Sequence, residues 1–267
     1  LISGILAGQN FTSTLTGDES IQKRPMKRII LPLTQMGASI ASLRDNGCAP
    51  LQITGRPLHG ITYHSPVASA QVKSAILLAG LYAEGETSVI EPSVSRNHTE
   101  IMLKAFGAEV SCHDTTASVH HTDELFASNI EVPGDISSAA YFIVAALMIP
   151  NSDIILHNVG INPTRDGLLR AIEMMGGKIE ILSIKNEDTE AIADLRIKSQ
   201  NLHGATFGGD IIPAMIDEIP ALAALACFAE GETIIKDAEE LKVKESNRIK
   251  VMVEELSKMG AQIEETE

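Results

Sequence analysis

The sequence has no tryptophan, few other aromatic residues and only three cysteines. Those cysteines, Cys48, Cys112 and Cys227, stand far apart, without the paired spacing of a disulfide framework or a zinc site. We therefore expect a reduced compartment, the cytoplasm, and no bound metal. The longest apolar stretch, residues 139–150, is shorter than the roughly 20 residues that a membrane-crossing helix needs, so no membrane partner is predicted.

Positive charge is also scarce, because 21 Lys and Arg face 35 Asp and Glu and leave a net charge of −14. Such a chain is repelled by the phosphates of DNA and RNA, so no nucleic-acid partner is predicted. Any anionic ligand must be held by a local group of cations. At 267 residues with 44% apolar content, the chain can bury the core of one large domain or of two ordinary ones.

A glycine recurs along the chain at nearly constant spacing. Gly37, Gly107, Gly176 and Gly260 each follow an apolar helical stretch and precede a short alternating segment, at intervals of about 70 residues and a longer last one. A glycine that closes a helix adopts the left-handed conformation, so each copy of the repeat predicts a helix, a glycine cap and a strand. The alternating segment after Gly260 is accordingly expected to form a strand.

Each copy also carries a second apolar helix with its own strand, and an arginine between that strand and the next helix. The four arginines are Arg24, Arg96, Arg165 and Arg248, and their spacing follows that of the glycines. For Arg165, a hydrogen bond at a helix terminus is favoured over a role as a ligand. Repeats of this length predict small α/β layers, and the apolar helices around residues 74–80 and 221–228 are expected to be buried beneath the strands.

The turns of these copies carry six strings that occur in order along essentially the whole chain. They resemble the enolpyruvyl transferase family, in particular its 5-enolpyruvylshikimate-3-phosphate synthase branch. The strings are KRPM at residues 23–26, SAQVKSAILLAGL at 69–81, SRNHTEIML at 95–103, PGDISSAAYF at 133–142, MIDEIPALA at 215–223 and VKESNR at 243–248.

The resemblance implies an α/β fold with two domains, each made of three βαβαββ copies in an inside-out α/β barrel, and an active site in the cleft between them. Four of the six copies are present. Residues 1–129 would be the last two copies of one domain, and residues 130–267 the first two of the other. An apolar start without methionine and a strand-like end further predict a chain that begins late and stops early in the family pattern.

The implied activity is transfer of the enolpyruvyl group from phosphoenolpyruvate to the 5-hydroxyl of shikimate 3-phosphate, with release of phosphate. This reaction belongs to chorismate and aromatic amino-acid biosynthesis. The partners would be these two small molecules, with no organic cofactor and no metal, and we expect a monomer.

Matching the motifs residue by residue implies a set of ligands for shikimate 3-phosphate. They are Ser69, Ala70, Gln71, Ser95, Arg96, Asp217 and Lys244. Ala70 stands where many relatives have a second serine, so its contribution would come from the backbone N–H or be replaced elsewhere. His98 occupies a position that is aromatic in other branches, and a purely structural role is an equal alternative.

The same matching implies Arg24, Gln71 and Arg248 as ligands of phosphoenolpyruvate, and Asp217 and Glu245 as the catalytic carboxylates. Arginines suit a phosphorylated carboxylate because the guanidinium binds it through two hydrogen bonds, and paired carboxylates can serve as base and acid.

Structural alternatives remain open for two of these motifs. Asp217 and Glu218 could be a helix N-terminal charge pair, and residues 243–248 could be a solvated helix start with Ser246 near the cap. Asn247 replaces an aspartate of many relatives, which would weaken an ion pair that positions Arg248.

The sequence disfavours three competing functions. A UDP-N-acetylglucosamine enolpyruvyl transferase would use a cysteine loop, but Cys112 lacks the surrounding loop pattern. A non-catalytic repeat scaffold would let the turn residues vary freely between copies. A dehydrogenase is disfavoured because no GxGxxG follows a predicted strand.

Overall fold

The computed structural model describes residues 1–186, 189–243 and 246–266. The contacts within the chain divide it into two compact units, Leu1–Ile130 (unit 1) and Glu131–Glu267 (unit 2). Each unit has its own hydrophobic core. The described helices include none with both the length and the apolar character needed to cross a membrane.

Unit 1 alternates helices with short strands. Its first elements are α1 (Ile2–Ala7), β1 (Thr12–Leu15), a 3₁₀ turn (Ile21–Lys23), α2 (Lys27–Gln35), β2 (Ser39–Ser42), β3 (Leu51–Thr54), β4 (Leu58–His59) and β5 (Thr62–His64). They are followed by α3 (Ala70–Gly80), β6 (Ala83–Glu84), β7 (Thr87–Ile90), α4 (His98–Ala105), β8 (Val110–His113) and β9 (Thr116–Val119). The strands form an antiparallel sheet β1-β3-β2, a mixed sheet β5-β7-β9-β8 and a parallel pair β4-β6.

Helix α3 lies at the centre of unit 1, with α1, α2 and strand β7 packed against it. Its residues 74–80 are buried except for Leu78, which confirms the expectation from the apolar sequence. The approach of α1 is close enough to require a glycine, because a Cβ on Gly4 would lie 2.0 Å from the carbonyl oxygen of Ala75. The apolar helix thus forms the core over which the strands lie.

Unit 2 repeats this pattern. Its elements are α5 (Ile136–Met148), β10 (Asp153–Gly160), α6 (Gly167–Met174), β11 (Glu180–Lys185), β12 (Ile192–Lys198), β13 (Thr206–Phe207), α7 (Ile211–Met215), α8 (Ile219–Ala226), β14 (Ile234–Ile235), a 3₁₀ turn (Glu239–Val243) and α9 (Arg248–Lys258). Strands β10, β12 and β11 form an antiparallel sheet, and β13 pairs with β14 in parallel. The core contains α5, α6, α7 and α8.

The expectation that residues 221–228 form one buried helix is correct only for the first part of that range. Helix α8 ends at Ala226, and the chain then turns, with the N–H of Phe228 donating to the carbonyl of Leu225 at 3.0 Å. Phe228 is consequently 70% exposed, and Cys227 is exposed too. An apolar run sets which residues can be buried, but it does not set where the helix leaves the core.

All four repeat glycines have the predicted left-handed conformation, with φ between 82° and 105°. Each lies directly after the C-cap of its helix, and the next residue donates back to a carbonyl one turn earlier, as Ala38 does to Leu33 at 3.0 Å. The predicted strand after Gly260 is wrong, because residues 261–266 form none. A strand needs a neighbour for its hydrogen bonds, and none of the described strands pairs with this segment.

Candidate active site

The start of helix α3 brings together three of the predicted shikimate 3-phosphate ligands. Ser69 is the N-cap, and its side-chain oxygen accepts from the N–H of Val72 at 3.5 Å. Ala70 and Gln71 are the first two helical residues, whose N–H groups lack a carbonyl partner within an α-helix. The aligned peptide dipoles also favour negative charge here, so this end of α3 is chemically suited to a phosphate.

A cation missed by the sequence reasoning lies beside Gln71. The exposed Gln71 side chain accepts at its Oε1 from Nη2 of Arg28 at 2.9 Å, and Arg28 belongs to the first turn of α2. Arg24 ends the 3₁₀ turn just before and is exposed. The available signal was the density of four basic residues within residues 23–28.

Ser95 and Arg96 lie in the segment between β7 and α4. Ser95 is only 8% exposed, and its hydroxyl donates to Oε2 of Glu91 at 2.7 Å. Arg96 is partly buried, and His98 is the first residue of α4. Ser95 therefore has a protein acceptor for its single proton.

A buried group of charged side chains contacts Ser69 and Ser95, and the sequence reasoning did not identify it. The ammonium of Lys73 contacts Oε2 of Glu91 at 3.0 Å and Oε1 of Glu100 at 2.8 Å. Their side chains are 4%, 2% and 4% exposed respectively. A lysine inside an otherwise apolar helical run was the signal that could have revealed the group, since a buried lysine needs a carboxylate partner.

In unit 2, the structure brings Asp217 and Arg248 together. Nη1 of Arg248 donates to Oδ1 of Asp217 at 3.2 Å, and both side chains remain about one-third exposed, at 28% and 32%. They line a pocket of about 450 Å³ whose other lining residues are Ser137, Ser138, Tyr141 and Pro220. The pocket combines a guanidinium, a carboxylate and two hydroxyls, which can bind a polyhydroxylated anionic ligand.

A second arginine network lies at the start of α5. Nη2 of Arg165 donates to Oδ1 of the N-cap Asp135 at 3.2 Å and to Oγ of Ser137 at 2.5 Å. The Ser137 hydroxyl in turn donates to Glu218, whose side chain is 1% exposed. The interpretation of Arg165 as a helix-terminus hydrogen-bond donor is confirmed.

The VKESNR motif is described only in part, because the predicted ligand Lys244 and the predicted catalytic Glu245 lie outside the described residues. The N-cap of α9 is Asn247, so Ser246 lies next to the cap as that alternative expected, and Oδ1 of Asn247 accepts from the N–H of Lys250 at 3.1 Å. Arg248 is thereby held in the first turn of a capped helix. Over the described ranges, no three His, Cys, Asp or Glu side chains converge as a metal site.

The chain is similar to known proteins of one family. The sequence profile of the EPSP synthase (3-phosphoshikimate 1-carboxyvinyltransferase) family matches residues 1–267. The chain is 54% identical over 265 residues to the 3-phosphoshikimate 1-carboxyvinyltransferase of Desulforamulus reducens, covering 99% of this chain and 62% of that protein. Identity to the enzyme of the same name from Bacillus subtilis is 54% over 266 residues, covering 100% of this chain and 62% of the relative.

Solved structures give the same result. EPSP synthase from Acinetobacter baumannii superposes with a TM-score of 0.89 at 49% identity, covering 97% of this chain and 59% of that one. The enolpyruvyl transferase NikO from Streptomyces tendae, at 17% identity and a TM-score of 0.67, covers 88% of this chain and 54% of its own and shares the fold. The expected enolpyruvyl transferase α/β fold is confirmed. The chain spans about 62% of the length of its curated relatives and belongs to the EPSP synthase family.

Proposed function

We propose that the protein transfers the enolpyruvyl group of phosphoenolpyruvate to the 5-hydroxyl of shikimate 3-phosphate and releases phosphate, as a step of aromatic amino-acid biosynthesis. The observation that carries the proposal is the match of the family profile over the span of residues 1–267. The contacts at the helix starts support it, because both substrates are phosphorylated carboxylates and helix N-termini with nearby arginines suit such groups.

For shikimate 3-phosphate, the proposed ligands divide by chemistry. Ser69, Ala70, Gln71 and Arg96 supply hydroxyl, amide and guanidinium donors for the phosphate and ring, and Ser95, whose proton goes to Glu91, offers its oxygen as an acceptor. Asp217 accepts from the ring hydroxyls, and Lys244 contacts the ring or balances the charge of Glu245. The support from unit 1 is that Ser69, Ala70 and Gln71 form the start of a single helix.

For phosphoenolpyruvate, the proposed ligands are Arg24, Gln71 and Arg248. Asp217 and Glu245 are the proposed acid–base pair, one near the 5-hydroxyl and the other delivering a proton to the methylene carbon. The 3.2 Å contact between Arg248 and Asp217 supports a common location for donor binding and proton transfer. The reaction as proposed needs neither a metal nor an organic cofactor.

We further propose that residues 1–129 are the last two βαβαββ copies of one domain and residues 130–267 the first two of the other. The protein is proposed to act as a cytoplasmic monomer. The division of the chain at Ile130 supports the domain proposal. Equilibrium sedimentation of the complete gene product tests the oligomeric state directly.

The test is steady-state phosphate release with both substrates varied, on the complete gene product and on the 267-residue chain in parallel. We expect essentially no turnover from the chain of 267 residues, with weak binding of shikimate 3-phosphate retained. In the complete product, Asp217→Ala or Glu245→Gln should lower kcat by about 10² or more, the usual effect of an acid–base group. Arg248→Ala should mainly raise KM for phosphoenolpyruvate.

Each result separates the proposal from its alternatives. Turnover with UDP-N-acetylglucosamine as the acceptor, and none with shikimate 3-phosphate, would indicate the other enolpyruvyl transferase reaction. No turnover by the complete product with either acceptor would favour a binding scaffold. Full activity of Asp217→Ala and Glu245→Gln would overturn the acid–base assignment, and a 267-residue chain as active as the complete product would overturn the expected loss of activity.

A further inference from the structure

Glu91 makes contacts that connect two of the proposed substrate residues. Its Oε1 accepts from the backbone N–H of Ser69 at 2.7 Å, and its Oε2 accepts from the hydroxyl of Ser95 at 2.7 Å. The same Oε2 contacts the ammonium of Lys73 at 3.0 Å. One buried carboxylate therefore fixes the cap of α3 and the segment that precedes α4.

Lys73 in turn holds the carboxylate in one orientation. Its ammonium has three N–H donors, which meet Glu91, Glu100 at 2.8 Å and the carbonyl of Ser95 at 3.4 Å. Because all of these side chains are at most 4% exposed, water cannot replace a lost contact easily. Movement of Glu91 would leave buried donors without acceptors.

These bonds determine which hydrogen-bond donors remain for a bound anion. A serine hydroxyl has a single proton, and Ser95 gives its proton to Glu91. The N–H of Ser69 is also used by Glu91, whereas the Ser69 oxygen accepts from Val72 and keeps its own proton for another acceptor. The hydroxyl of Ser69 and the N–H groups of Ala70 and Gln71 are then the donors at this helix start.

We infer that Glu91, held by Lys73, is a positioning residue for shikimate 3-phosphate, and that it acts through Ser69 and Ser95 without touching the substrate. The inference rests on the proposed function and deepens it. It assigns direct phosphate binding at this helix to the donors of Ser69, Ala70 and Gln71. Ser95, whose proton goes to Glu91, holds the adjoining segment in place and offers only its oxygen to the hydroxyls of the substrate ring.

The decisive variant is Glu91→Gln in the complete gene product. Glutamine keeps one acceptor oxygen, which can face the N–H of Ser69, but its NH₂ group then replaces the oxygen that accepts from Lys73 and Ser95. Because an NH₂ group cannot accept a hydrogen bond, the three contacts cannot all be kept.

We expect Kd and KM for shikimate 3-phosphate to rise about tenfold or more, the effect of losing one charge-assisted hydrogen bond. The kcat should change by less than about threefold, because the proposed acid–base residues Asp217 and Glu245 do not belong to α3. KM for phosphoenolpyruvate should rise less than KM for shikimate 3-phosphate, because Gln71 is the one proposed phosphoenolpyruvate ligand on α3.

Two ligands make the readout specific. Titration calorimetry with shikimate 3-phosphate and with shikimate measures what the phosphate adds to binding. Glu91→Gln should reduce the preference for the phosphorylated ligand and leave the Kd for shikimate nearly unchanged. A purely structural defect would weaken both ligands together.

The matched control is Glu100→Gln, because Glu100 is equally buried and contacts Lys73 but neither serine. It should bind both ligands as the wild type does, and the exposed Glu109→Gln should behave likewise. If Glu91→Gln does not fold, Glu91→Asp keeps the charge but is one methylene too short to reach both serines, and the same selective loss is expected.

The outcomes distinguish failure of the proposed function from failure of the positioning role of Glu91. A wild-type protein that binds no shikimate 3-phosphate refutes the proposed function and this inference with it. A wild-type protein that binds it, with Glu91 variants indistinguishable from Glu100→Gln, refutes the positioning role alone. Equal losses for shikimate and its 3-phosphate also refute it.

Discussion

Replacement of Lys73 by methionine should destabilise unit 1 strongly. Methionine fills a similar volume but lacks the ammonium that Glu91 and Glu100 share. Both carboxylates would stay in place with side-chain exposures of 2% and 4%, and each would lose its cationic partner. The change therefore isolates the charge of Lys73 from its packing.

The magnitude follows from the burial of the group. Removing one partner of a buried ion pair costs about 3–5 kcal/mol, because the remaining charge is desolvated and uncompensated. Here one ammonium compensates two carboxylates, so we expect a loss in the upper half of that range, a large part of a typical domain stability of about 5–15 kcal/mol. Adding Glu91→Gln and Glu100→Gln to Lys73→Met should recover most of the loss, since no charge then remains buried.

Urea denaturation followed by tyrosine fluorescence is the suitable assay, because the chain has no tryptophan and only three tyrosines. Tyr63 and Tyr82 belong to unit 1 and Tyr141 to unit 2. In a Tyr141→Phe background, the signal reports unit 1 alone. The matched control is Lys104→Met on α4, where the lysine is exposed.

The reasoning is refuted if the free energy of unfolding of Lys73→Met lies within about 1 kcal/mol of the Lys104→Met control, the size of an ordinary surface effect. It is also refuted if the triple variant is less stable than Lys73→Met. Either result would mean that the ammonium does not compensate the two carboxylates.

Two further predictions concern unit 2. Asn247→Ala removes the side chain that accepts from Lys250 and should cost about 1 kcal/mol of stability. Amide hydrogen exchange in the first turn of α9 should become faster in this variant, whereas Asn247→Asp should keep the protection. Equal exchange rates in wild type and both variants would contradict the cap. Asp153 accepts two hydrogen bonds from Arg196, at 2.8 and 2.7 Å, and the Arg196 side chain lowers its pKa. A lowered folded-state pKa stabilises the fold above about pH 4, the unfolded value, and the gain disappears as pH falls through the folded value. The stability difference between wild type and Asp153→Asn, followed by circular dichroism, should therefore shrink on acidification below about pH 4, and a difference independent of pH would refute the assignment.

The repeat pattern was predictable because its signals are local. A glycine after an apolar helix needs only its own backbone to close that helix, and all four repeat glycines do so with positive φ. The apolar content of α3 likewise predicted its burial. The two wrong predictions are the burial of Phe228 and the strand after Gly260. Both depend on contacts with distant segments, which the local sequence does not determine.

The candidate site likewise contains residues that the motifs predicted and a contact that only the structure revealed. The motifs predicted Ser69, Gln71 and Arg248 through their resemblance to a family. Nothing in the separate strings indicated that Arg28 would donate to Gln71.

The sequence by itself determined the family, the repeated copies, the helix caps and the excess of negative charge, because these depend on residue types at short range or on composition. Only the tertiary structure decided that Glu91 would meet both Ser69 and Ser95, and that Lys73 would be buried between two carboxylates. Glu91 lies 22 residues from Ser69 along the chain, and packing of β7 against α3 brings the segments together. A hydrogen bond acts over about 3 Å, so its partners are set by how elements pack and not by their order in the sequence.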